Sequence, residues 1–78
     1  MRFVDHIQMH PGNVEIHSVR VLDPAPHIRE AQLTMTRVRG GHWVGAMTYH
    51  AADGHLVRHV ELTDRMGDVF ARRMLASA

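Results

Sequence analysis

Apolar and polar residues mostly alternate along this chain, and turn signals interrupt the alternation at intervals of roughly ten residues. The turn segments are His10-Pro11-Gly12-Asn13, Asp23-Pro24-Ala25-Pro26, Arg39-Gly40-Gly41 and Asp53-Gly54. A period of two is that of a β-strand, and this spacing of turns is typical of an antiparallel meander. The pattern predicts strands at about 2–10, 13–22, 29–38, 42–52 and 55–62.

The Asp53-Gly54 turn has two candidate registers, and the side-chain pattern distinguishes them. A two-residue loop pairs Ala52 with His55, and Asp-Gly favours such a loop. A one-residue slip would mix His59 and Glu61 into the apolar face. The two-residue loop instead keeps one face apolar: Trp43, Met47, Tyr49, Leu56, Val60 and Leu62.

The other turns are assigned from the same alternation. A shift of the apolar phase after Ser18 predicts a β-bulge near His17-Ser18. The prolines of Asp23-Pro24-Ala25-Pro26 predict a stiff crossing segment. At Arg39-Gly40-Gly41 we expect a three-residue loop with Gly41 at positive φ. That loop aligns Ala31, Leu33 and Met35 with Trp43 and Met47.

A helix is expected at about 64–75, with Thr63 as its N-cap. Asp68 and Arg72 have the spacing of an ion pair on its outer side. Its apolar stripe, which would cover the apolar face of the sheet, is Met66, Val69, Phe70 and Met74.

Gly67 is unfavourable within this helix by about 1 kcal/mol relative to alanine. We expect it to allow close approach to a bulky sheet residue such as Trp43. The predicted fold is therefore α+β: an antiparallel β-meander of four to five strands with one C-terminal α-helix packed across one face. Residues 1–78 form a single small domain.

Composition narrows the classes of function. The chain has no cysteine, which excludes a disulfide framework, a thiolate zinc site and a thiol nucleophile. Its 9 basic residues are all arginine, and the net charge is +1, so no global basic field indicates nucleic acid. So short a chain does not favour a large enclosed active site. No segment resembles a signal peptide or a membrane span, and we expect a cytoplasmic protein without membrane contact.

The 8 histidines suggest metal binding or pH sensing. The H-x-x-x-H spacings of His6/His10 and His55/His59 do not fit one zinc ion on strands, because four residues span about 13 Å. If Pro11-Gly12 is a two-residue turn, His6 faces His17 across the strands, with Glu15 nearby. The candidates for a metal site are therefore His6, His17 and Glu15. A pH-sensitive surface at His6/His17 and His50/His59 is the other hypothesis.

No catalytic constellation is present, and we expect no enzymatic activity and no cofactor. The two serines, Ser18 and Ser77, lie outside any glycine-flanked nucleophile elbow. Gly40-Gly41 is explained by its hairpin rather than by a phosphate-cradling loop.

A single-stranded nucleic-acid-binding dimer is one alternative function. Arginines suited to phosphate contacts are Arg37, Arg39, Arg58, Arg65, Arg72 and Arg73. Single-strand binding also needs exposed aromatic rings, whereas the predicted register buries Trp43 and Tyr49. The inferred topology of residues 29–76 resembles the purine-rich-element-binding repeats and the transcriptional-coactivator-type single-strand binders, which dimerise and hold single strands on the sheet. No sequence motif carries this resemblance, and no residue roles are transferred.

The function that we expect is that of a small non-catalytic protein-interaction module. The face opposite the helix mixes apolar residues with threonines and histidines, as interfaces do, and open sheet edges can pair in a homodimer. One hypothesis is that the chain occludes a partner's surface, as compact phage or mobile-element proteins do. The candidate surface residues are Arg37, Arg39, His42, Val44, His50, Val57, Arg58 and His59.

Overall fold

The computed structural model describes residues 2–26 and 28–76, and it confirms the predicted α+β fold. Five strands form one antiparallel sheet in the order β1-β2-β3-β4-β5, and a single helix follows them. The elements are β1 (Arg2–Met9), β2 (Val14–Ala25), β3 (Ile28–Val38), β4 (Val44–His50), β5 (Leu56–Leu62) and α1 (Asp64–Ala76). No helix within the described ranges has the length and apolar character to cross a lipid bilayer.

The core lies between α1 and one face of the sheet, which we call the helix-side face. We call the opposite face the outer face. Side chains alternate between the two faces along each strand. The buried apolar residues are Val19, Val21, Ala31, Leu33, Met35, Trp43, Met47, Leu62, Ala71 and Met74.

The β3–β4 ladder has the predicted register, with Met47 opposite Leu33. Positive φ belongs to Gly40 (78°), however, and not to Gly41 as predicted. The Gly41 N–H closes the turn by donating to the Val38 carbonyl oxygen at 2.7 Å. Gly40 is thereby the third residue of the turn, the position at which a type II turn requires positive φ.

The β4–β5 ladder also has the predicted register over residues 45–49 of β4. The predicted two-residue loop is wrong, because the Ala51 N–H donates to the His55 carbonyl oxygen (3.0 Å) around a three-residue loop. A β-bulge then leaves Val57 without a cross-strand partner and restores the register. Leu56, predicted on the apolar face, is consequently exposed.

The helix α1 has almost the predicted bounds but buries a different stripe. Met66 and Val69, predicted to face the sheet, are exposed. The buried positions are Gly67, Ala71 and Met74, and Phe70 is partly buried.

Close contact between Gly67 and Trp43 explains this rotation. A Cβ added at Gly67 would overlap the carbonyl oxygen of Trp43 and lie 3.1 Å from its carbonyl carbon. The expected close approach of Gly67 to Trp43 is thus confirmed.

Asp68 does not form the predicted pair with Arg72. It accepts a hydrogen bond from the Trp43 N–H at 3.3 Å and lies 3.4 Å from His42.

The N-terminal hairpin differs from the prediction in the place of its bulge. Gln8 lies opposite His17, and the register shift falls in β1 between Val4 and Ile7. The predicted bulge near His17-Ser18 is wrong, because β2 pairs with β3 in one register from Val14 to Leu22.

The proline segment is part of a hairpin and not the predicted crossing segment. β2 continues to Ala25, which pairs with Ile28 after a register shift. Asp23 adopts a φ of 52° within this shift. Such irregular positions tolerate Pro24, which has no N–H to donate to the ladder.

Candidate functional site

The outer face carries a continuous apolar patch at the end of the sheet where the β1–β2 and β3–β4 turns lie. Strand pairing aligns Met9, Ile16, Thr36 and Val44 in one row across four strands, and Val14 pairs with Val38 in the next row. We call the following residues the outer apolar patch: Ile7, Met9, Val14, Ile16, Val38 and Val44. The exposure of Ile7 is 60%, of Met9 54%, of Val38 52% and of Val44 45%.

Along β2 the apolar side of the strand changes from one face to the other. Val19 and Val21 point into the core. Nearer the β1–β2 turn, the inward positions are instead Glu15 and His17, and the apolar residue between them, Ile16, points outward. The pairing of β2 with β3 is unbroken here, so side chains continue to alternate between the two faces. What changes along the strand is which face receives the apolar residues.

Both edges of the sheet are irregular. The edge strand β1 has its register shift between Val4 and Ile7, and Asp5 there has a φ of 55°. The other edge strand, β5, is bulged at Val57. Bulges on edge strands hinder the addition of a further strand, so the outer face is the better surface for contact.

Behind the patch, on the helix-side face, lies a polar cluster built around a buried histidine. His17 is 1% exposed, and its Nε2 lies 2.6 Å from Glu15 Oε2. A carboxylate only accepts, so His17 donates through Nε2. Its Nδ1 lies 2.7 Å from Nε2 of His6, and the two ring centroids are 4.9 Å apart with an angle of 24° between the ring planes.

Arg37 and Trp43 complete this group. The Arg37 Nη2 donates to Glu15 Oε1 at 2.9 Å, and the guanidinium lies 4.5 Å from the Trp43 ring centroid. The Trp43 ring in turn packs edge-on to His17 at 5.5 Å. We call His6, Glu15, His17, Arg37 and Trp43 the histidine–glutamate cluster. No buried side-chain nitrogen or oxygen atom in the described ranges is without a partner.

Hydrogen bonds from His17 and then from Arg37 hold the pKa of Glu15 below its ordinary value. The ionised carboxylate therefore stabilises the fold above the ordinary carboxyl pKa of about 4.3. This contribution is lost as the pH falls through the lower pKa of the folded state.

We expect the cost of Glu15→Gln to be largest near neutral pH and to shrink as the pH falls from about 6 to about 3. Thermal unfolding of the wild type and the variant across this range measures it. Glu61→Gln, at a carboxylate that is 73% exposed, is the control and should change stability by less than about 0.5 kcal/mol at neutral pH. A cost of Glu15→Gln that is independent of pH would contradict the assignment.

The three predicted metal candidates are together, but they do not converge on one point. His6 and Glu15 contact opposite nitrogens of His17, so they lie on opposite sides of its ring. Within residues 2–26 and 28–76, no three histidine, aspartate or glutamate side chains are arranged to hold a metal ion.

The predicted surface residues separate into several places. Val44, His50 and His59 share the outer face, and Val57 is at the β5 bulge. No hydrogen bond or ring contact joins His50 to His59, both of which are described residues: His50 lies 3.3 Å from the Gly54 carbonyl oxygen, and His59 lies 2.8 Å from Glu61. The remaining four lie elsewhere: Arg39 in the β3–β4 turn, Arg37 and Arg58 on the helix-side face, and His42 beside α1.

Two residue types bear on the alternative functions: aromatic rings for single-strand binding and serines for nucleophilic catalysis. Trp43 is buried and covered by Arg37, so its ring offers no exposed stacking surface. Ser18 Oγ accepts a hydrogen bond from Gln32 at 3.1 Å, and Ser77 lies outside the described residues.

The fold and this site define a small α+β domain with an exposed apolar patch on the sheet face opposite its helix. No family model matches the sequence, and neither the curated proteins nor the solved structures include a significant match.

Proposed function

We propose that this chain is a non-catalytic protein-interaction module whose outer apolar patch binds a second copy of the chain. The observation that carries the proposal is the reversal along β2, where Ile16 points outward and His17 points into the core. A water-exposed face has no need of apolar side chains, and contiguous exposed apolar patches commonly mark interaction sites.

Three features favour a second copy of the chain as the occupant. A two-fold dimer brings the same patch on each copy together, and none of the six patch residues is charged, so no like charges meet within the patch. The net charge of +1 gives little repulsion between copies. The irregular edges of β1 and β5 favour face-to-face association, in which two sheets pack about 10 Å apart.

Met9→Glu is expected to convert the dimer into a monomer, because it places a carboxylate within an apolar contact. Met66→Glu is the matched control: Met66 is 51% exposed against 54% for Met9, but it lies on α1. Light scattering coupled to size exclusion measures the mass of each protein near ~100 μM. Val44→Glu tests the same patch from β4.

The expected result is a dimer for the wild type and for Met66→Glu, and a folded monomer for Met9→Glu and Val44→Glu. Circular dichroism verifies that each variant is folded. A monomeric wild type at this concentration would overturn the proposal. Equal loss of the dimer in Met9→Glu and Met66→Glu would also overturn it, because the contact would then not depend on the patch.

A further inference from the structure

A cavity of about 310 Å³ lies at one end of the sheet, between the β1–β2 and β3–β4 turns. Arg37, Arg39, His10 and Asn13 are among the residues that line it. The Arg39 N–H donates to the Asn13 carbonyl oxygen at 2.9 Å and so joins the two turns that form its walls. Two chain segments distant in sequence thus place two arginines and a histidine around one opening.

The charges around this cavity are unbalanced. Glu15 is the only carboxylate among its described lining residues, and Glu15 is bound by both Arg37 and His17. The Arg39 guanidinium has no hydrogen-bond or ion-pair partner within residues 2–26 and 28–76. A surplus of positive charge therefore remains at the opening.

The donors at the cavity suit an oxygen-rich anion. Each guanidinium has five N–H donors in a planar fork, and Arg37 uses its Nη2 on Glu15. Arg37 is also held in place by the Trp43 ring, at 4.5 Å from the centroid, so its position is set before any ligand arrives.

We propose that this cavity binds the phosphate group of a small molecule, with Arg39 and Arg37 as its principal donors. Near neutral pH a phosphate monoester carries about −1.5 to −2 charges and three acceptor oxygens, which two guanidinium forks can share. A carboxylate has one charge and two oxygens, and it satisfies fewer of these donors. Val14 is the one described lining residue that also belongs to the outer apolar patch, and both principal donors lie outside the patch, so the proposal does not rest on dimerisation.

Titration with inorganic phosphate at neutral pH and constant ionic strength tests the site, with amide NMR shifts as the measurement. Saturable shifts are expected at the two turns, centred on Gly12, Arg39 and Gly40, all of which line the cavity. Acetate is expected to bind more weakly than phosphate. Sodium chloride at the same ionic strength is expected to give no saturable shift.

Arg39→Gln is expected to weaken phosphate binding by about tenfold, the usual effect of losing one charge-assisted hydrogen bond. Arg72→Gln, at an exposed arginine of α1, is the matched control and should bind within about twofold of the wild type. Arg39 is exposed, so the fold should persist, and unchanged shifts elsewhere verify this.

The proposal is overturned if sodium chloride reproduces the phosphate shifts, or if the two arginine variants weaken binding equally. Acetate binding as tight as that of phosphate would also overturn it, because the cavity would then not distinguish a phosphate group.

Discussion

Replacing Gly67 by alanine is expected to lower the free energy of unfolding by about 2 kcal/mol, although alanine is the better helix former by about 1 kcal/mol. The added Cβ would overlap the Trp43 carbonyl oxygen and lie 3.3 Å from that of Leu62. Both are backbone oxygens, one in the residue before β4 and the other in the last residue of β5, so no side-chain rotation relieves the overlap. The helix must move away, and the packing of Ala71 and Met74 is lost with it.

Thermal or urea unfolding measures this effect, and a fall of about 10 °C in the melting temperature corresponds to it. Met66→Ala is the control, because Met66 precedes Gly67 in α1 but is exposed. It should change stability by less than about 0.5 kcal/mol. If Gly67→Ala is as stable as the wild type or more stable, helix propensity dominates and the close contact with Trp43 does not limit the fold.

The same glycine shows how far the sequence predicts the fold. Strand alternation is a local property, and it was sufficient for the meander and for the main registers of the β3–β4 and β4–β5 ladders. The rotation of α1 depends on which helix face approaches the sheet most closely. Small residues at Gly67 and Ala71 decide this, whereas amphipathic analysis weights large residues such as Met66 and Val69.

Bulges limited the prediction in a similar way. One extra residue in a strand moves every later side chain to the other face. The bulge at Val57 exposes Leu56, and the shift in β1 between Val4 and Ile7 changes the pairing of the N-terminal hairpin. Neither irregularity has a glycine at its position, so the sequence carries no local signal for it.

Five of the six residues of the outer apolar patch, all except Val44, are absent from the predicted surface for a different reason. The bulge predicted in β2 assumes that the apolar residues of this strand all face the core. Continuous alternation would have placed Glu15, His17, Val19 and Val21 on one face and Ile16 on the other, as the structure does. The sequence signal for this arrangement was therefore the polar pair itself. Glu15 and His17 are two residues apart, the spacing at which neighbouring side chains on one face of a strand can hydrogen-bond.

His17→Ala is expected to lower the free energy of unfolding by about 3 kcal/mol. The substitution leaves a cavity beside Trp43. It also removes a hydrogen-bond partner from both Glu15 and His6. The chain contains a matched control in His59, which also bonds to a glutamate two residues away on its strand, at 2.8 Å, but is exposed. His59→Ala should change stability by less than about 1 kcal/mol, since exposed pairs contribute little. Urea unfolding at neutral pH compares the two variants. Equal losses of stability would mean that the burial of His17 adds nothing to the effect of its hydrogen bonds. The expected difference would show that the histidine–glutamate cluster stabilises the end of the core where the apolar side chains face outward, and so takes the place of apolar packing there.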